Sequence, residues 1–243
     1  MHEIYNPKEE NKSLMTFIEK SANYEGDHTL LFLERLNNPE IKKKLVESLT
    51  REHMFWDSKL DVKRRKEREE KKLNNRIKEV FDSTKIDLNE KSYIGKGGPG
   101  DTGIICPFGI SREDGNVYSK KQLNITEAHE KGHGVRSFDW ESPIGVWIKS
   151  AFDFSKLPSM LPKEDLGHEL YWQNPDEIIE RMSQLKNYFG MKGNEEFTKE
   201  HLDYARKNYM KNTGFTLQIK PFFDSITKDT EKDFLDVINN LGV

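Results

Sequence analysis

The stretch Asn124-Ile-Thr-Glu-Ala-His-Glu-Lys-Gly-His-Gly134 carries H-E-x-x-H, with His129, Glu130 and His133 as its fixed letters. On an α-helix, positions i and i+4 lie on one face. Two histidines at that spacing can therefore hold a single Zn2+ through their imidazole nitrogens. Glu130 falls one step round the helix from His129, where its carboxylate reaches a water on the metal rather than the metal. That is the place of a general base. Asn124 is a suitable N-cap and Glu127, three residues on, completes a capping box, so a helix is expected to start at Asn124. Gly132 and Gly134 lower helix propensity, which tertiary packing commonly overrides.

Zinc in a catalytic site takes a third protein ligand and keeps a fourth position open. The pattern H-E-x-x-H-x-x-G-x-x-H would put Gly at 136 and His at 139, but Arg136 and Asp139 stand there. Asp139 can serve as the third ligand, although without the glycine the chain turns back less freely. The other source is a second helix. Asn174-Pro175-Asp176-Glu177-Ile-Ile-Glu180-Arg181 begins with an N-cap residue and a proline at the first helical position, a strong start signal. Glu177 then falls third and Glu180 one turn later on the same face. Glu177 is also the expected capping-box glutamate, and periodicity does not choose between the two. An oxyanion stabiliser is needed as well, and His168, Tyr171 and Arg181 lie close by in sequence.

Working outward, residues 1 to about 88 read as helical, with apolar positions Leu14, Phe17 and Ile18, then Leu30, Leu31, Leu33 and Leu36, then Ile41, Val46 and Leu49. A charged helix is expected over about 52–82. Between Asp61 and Glu79 it has nine Lys/Arg against five Asp/Glu, interleaved, which reads as a solvated face rather than a nucleic-acid surface. Four glycines and a proline between Gly95 and Thr102 exclude a regular helix there, and short strands are expected at 104–105 and 116–118. That glycine cluster lacks the GKS or GKT ending of a phosphate loop. Further helices are expected near 124–138, 175–189, 198–211 and 229–241. His201 reads as a surface residue, Cys106 as a buried one, and Phe222-Phe223 as core.

The 243 residues are 34% apolar and 33% charged, with a net charge of -3, which argues against a polyanion binder. One cysteine allows no internal disulfide, and no apolar run is long enough to span a membrane. The start MHEIYNPKEENK lacks an apolar signal segment, so a cytoplasmic location is expected.

The H-E-K-G-H helix followed by one starting N-P-D-E-I-I-E-R resembles the zincin metallopeptidases that take a downstream glutamate as third ligand, the gluzincin type. It is also similar to metallopeptidase-like proteins of large tailed phages, crAss-like phages among them, whose second helix begins P-x-E-I-x-A-R. The resemblance spans roughly residues 116 to 190. It implies His129 and His133 as ligands, Glu130 as base and Glu177 as third ligand. Glu180 stands where that pattern has alanine, a departure that brings an extra carboxylate near the site. The resemblance further implies an α+β, mainly α protein: a helical region over 1–88, then a zincin-like catalytic domain over 89–243. The expected function is zinc-dependent hydrolysis of a protein or peptide substrate. The alternative is a non-enzymatic structural or interaction protein, such as a phage virion component, whose partners are other phage structural proteins. A phage-encoded chain would work in the host cytoplasm or the virion.

Overall fold

The computed structural model describes residues 7–57, 61–83, 119–156, 169–215 and 219–243. They form α1 (Pro7–Ser21), α2 (His28–Asn37), α3 (Pro39–Trp56), α4 (Val62–Ser83), α5 (Lys120–Val135) and α6 (Pro143–Ser150). After a short 3-10 turn at Phe154–Lys156 come α7 (Glu169–Gln173), α8 (Pro175–Tyr188), α9 (Lys199–Thr213), α10 (Lys220–Asp224) and α11 (Glu231–Asn240). The protein is mainly α, and no strand occurs among the described residues. The strands expected at 104–105 and 116–118 lie outside them, as does Cys106. None of the helices is long and apolar enough to cross a membrane, among the described residues.

Polar caps set the helix boundaries. Asn38 Oδ1 accepts from the backbone of Glu40 and Ile41, with Pro39 at the first position of α3. Asp61 does the same for Lys63 and Arg64 and starts α4 afresh. The single charged helix expected over 52–82 is thus two, α3 running to Trp56 and α4 starting at Val62. Nor does α4 stand out in water. Arg65, Glu69, Leu73, Ile77 and Val80 recur three or four residues apart and are all buried, so one stripe lies on α3 and α5 while the other charges face solvent. Buried Glu69 is matched by Arg65 at 3.5 Å, Lys72 at 3.2 Å and His53 at 3.4 Å.

Helix α5 begins four residues earlier than Asn124. Ser119 is its cap, in a reciprocal box with Gln122. Asn124 sits inside the helix and accepts from the backbone N–H of His28 at 2.7 Å, so it satisfies an orphan donor at the start of α2. Glu127 pairs with Lys131 at 3.4 Å instead of capping. Asn124→Ala is expected to cost about 1–3 kcal/mol, the penalty of a buried donor left unmet, read as a lower urea midpoint. An unchanged midpoint would show the bond to be dispensable.

One buried cluster runs from Ile18 and Phe32 through Leu73, Ile77 and Val80 to Phe234, Ile238 and Val243, so the first four helices share a core with α5, α6 and α8 to α11. Within it α5 is central, packed by α2 and α4 and facing α8. Helix α2 is tied to α8 by fully buried Arg35, which donates to Ser183 Oγ at 2.7 Å and Asn187 Oδ1 at 2.7 Å. Phe222 and Phe223 are core, as expected. His201 is not a surface residue: it is buried between Phe189 and Phe197, and its Nδ1 accepts from the Thr198 backbone at 3.1 Å.

Candidate metal centre

Helices α5 and α8 bring His129, His133 and Glu177 together, as a group able to hold a metal ion. The two imidazole Nε2 atoms are 3.1 Å apart. Glu177 Oε2 lies 3.3 Å from His129 Nε2, and its Oε1 lies 3.2 Å from His133 Nε2. With metal–nitrogen bonds of about 2.0–2.1 Å, ligand atoms at tetrahedral angles stand about 3.3 Å from one another. Each imidazole thus meets its nearer Glu177 oxygen, and the other imidazole, at about the separation of ligands in a coordination shell, and one ligand atom from each residue lies within 4.8 Å of the others. Its ligands are mostly buried, at 7% exposure for His129 and 10% and 12% for the side chains of His133 and Glu177. Glu177 Oε2 has no hydrogen-bond partner among the described residues, a deficit that a cation between the three would remove. The residues fit a metal.

Two clamps hold α8 against the end of α5, and both flank Glu177. Above it, Asp176 accepts from the Phe138 backbone at 2.7 Å and the Ser137 hydroxyl at 2.8 Å. Below it, the Glu180 carboxylate takes both arms of Arg136, from Nε at 2.8 Å and Nη2 at 3.0 Å, with each side chain only 1% exposed. Arg136 also donates to the Gly242 carbonyl at 3.3 Å, tying the last residues to the same strut. Asn174 caps α8 through the Asp176 backbone, which leaves Glu177 free to face the histidines instead of closing a capping box.

Both glycines of the motif have steric reasons. A Cβ on Gly132 would stand 1.7 Å from Glu180 Oε2, and one on Gly134 would stand 2.8 Å from Val80 Cγ2. Gly132 thus makes the space that the Glu180 carboxylate occupies, and Gly134 lets α4 approach α5.

Electrostatics follow from the clustering. Burial pushes the Glu177 carboxyl up, but the two histidines against it and the Arg181 charge outweigh this and hold the group far below the usual range. Burial alone would lower His133, yet its hydrogen bond to Glu177 and the charges of Glu180, Glu177 and Glu130 raise it to about 9. Glu130 is raised, first by burial and further by Glu177 and Glu180, against the opposing pull of the two histidines.

The other candidates fall elsewhere. Asp139 is exposed and its carboxylate accepts from the Glu141 backbone at 2.8 Å, so it is outside the group. Glu180 is on the predicted face of α8 but is committed to Arg136. His168 lies outside the described residues. Tyr171 is 43% exposed as a residue, but its hydroxyl is the buried end, accepting from Arg181 at 3.3 Å beside Glu177. The sequence reading missed Asp176 and Arg136. The one hint was a glycine inside a helix opposite an extra carboxylate. No protein-family model, curated protein or solved structure matches the chain.

Proposed function

We propose that the protein is a zinc-dependent peptide hydrolase of zincin-like type, with Zn2+ held by His129, His133 and Glu177 and with Glu130 as general base. The observation that carries this reading is the grouping of two imidazole Nε2 atoms 3.1 Å apart with one carboxylate, Glu177, whose two oxygens stand 3.3 Å and 3.2 Å from them. Two imidazoles and one carboxylate form a catalytic zinc donor set, whereas calcium and magnesium favour all-oxygen shells. Bound zinc would supply Lewis acidity, polarising a carbonyl and making a water ligand acidic near neutral pH.

Glu130 follows His129 on α5, and its raised carboxyl is a better proton acceptor than an ordinary glutamate. It takes the proton of the attacking water and passes it to the leaving amine. The Tyr171 hydroxyl stays protonated, because burial and the neighbouring Glu177 push it up, and it donates to the developing oxyanion.

Elemental analysis of the purified protein tests the first step, with about one zinc per chain expected for a single three-ligand site. Glu130→Gln is expected to keep that zinc and to slow peptide hydrolysis by about 10²–10⁴-fold. Bound zinc with no hydrolysis of any peptide by the parent protein would favour a structural or interaction protein with a structural metal. No metal after zinc is added back would sink the peptidase reading and leave a structural or interaction protein with a chance motif.

A further inference from the structure

Arg181 lies one turn beyond Glu177 on α8 and is buried, at 7% exposure. Its Nη2 stands 3.7 Å from Glu177 Oε2 and donates to the Tyr171 hydroxyl at 3.3 Å. Its guanidinium carbon sits 4.8 Å from the Trp172 ring centre and 5.9 Å from that of Tyr171. One cation therefore touches the third carboxylate of the metal group on one side and both aromatic residues of α7 on the other.

We propose that Arg181 is a positioning residue of this centre: it locks the Glu177 carboxylate in its ligand position and holds the Tyr171 hydroxyl beside it. The inference rests on reading His129, His133 and Glu177 as a metal group. A glutamate side chain free to rotate loses entropy when a metal orders it, and a neighbour that orders it beforehand raises affinity. Arg181 is suited to this because a planar guanidinium stacks on rings while its nitrogens hydrogen-bond in plane. Helix α7 has five residues, too few to be helical alone. The stacking on Trp172 and the bond to Tyr171 dock it on α8, so one side chain orders both the ligand and the oxyanion donor.

The test is zinc affinity, measured by competition with a chromogenic chelator and set beside the melting temperature of the metal-free protein. Arg181→Met is expected to weaken zinc binding by about 10–100-fold, the usual effect of losing a group that orients a ligand. Arg181→Lys should lose nearly as much, since an ammonium does not lie over the Trp172 ring as a planar guanidinium does. Tyr171→Phe, at a half-exposed residue that does not hold the core, should weaken zinc less and add little to Arg181→Met, because both break one tie. Should Arg181→Met fail to fold, Tyr171→Phe alone still decides. Unchanged zinc affinity in the variants, or losses that simply add, would overturn the proposal. A parent protein that binds no zinc would instead overturn the metal reading on which it rests.

Discussion

Gly132→Ala is expected to lower stability by about 3–5 kcal/mol, the cost of breaking a buried ion pair from one side. For an exposed helical glycine the sign would be opposite, a gain of about 1 kcal/mol from helix propensity. The reversal follows from a contact. The new Cβ would stand 1.7 Å from Glu180 Oε2, so the carboxylate must leave. Its departure strands Arg136, which is 2% exposed and keeps only the Gly242 carbonyl of its described hydrogen-bond partners. Urea denaturation of parent and variant measures the effect, and an unchanged or higher midpoint would show that the carboxylate has room to spare.

The double variant separates the clash from the ion pair. Glu180→Ala also strands Arg136 and should fall by a similar amount, but it removes the obstacle to a side chain at 132. Adding Gly132→Ala to Glu180→Ala should then cost nothing and return up to about 1 kcal/mol of helix propensity. Such strong non-additivity is the mark of residues in contact. Additive losses would mean that the glycine is needed for some reason other than Glu180.

How far these features can be read in the sequence depends on how local their causes are. The α8 start is legible at Asn174-Pro175 because the cap and the proline act within one turn. The motif histidines are legible because i and i+4 share a face whatever surrounds them. The start of α5 was misplaced because Asn124 and Glu127 also spell a capping box, while Asn124 is spent on a residue far away in the chain, His28. The charged helix reads as a solvated face because its burial depends on a stripe that includes Arg65 and Glu69, charges that no hydropathy pattern counts as core. The choice among Asp139, Glu177 and Glu180 was likewise non-local. It turns on Arg136 taking Glu180, which requires knowing that α5 and α8 lie side by side.

Zinc should stabilise the parent protein by about 4 kcal/mol at a free concentration a thousandfold above its dissociation constant, and should do nothing for His133→Ala or Glu177→Ala. The pH dependence sharpens this. In the metal-free protein His133 is raised from an ordinary 6.5 to about 9, so the stability it gives is fully present below about 6.5 and is lost as pH rises through about 9. Glu177 is lowered from 4.5, so its contribution is present above that value and is lost as pH falls. The metal-free protein therefore has its maximum, as far as this cluster sets it, between about 4.5 and 6.5. Zinc needs the neutral imidazole and competes with the proton for His133, so its affinity rises across the window in which metal-free stability falls. The zinc-induced rise in Tm should be small near pH 6.5 and largest toward pH 9, and absent in both ligand variants throughout. A rise in Tm that is flat across that window would mean that zinc binds without displacing a proton from His133, and the ion would then have to sit elsewhere.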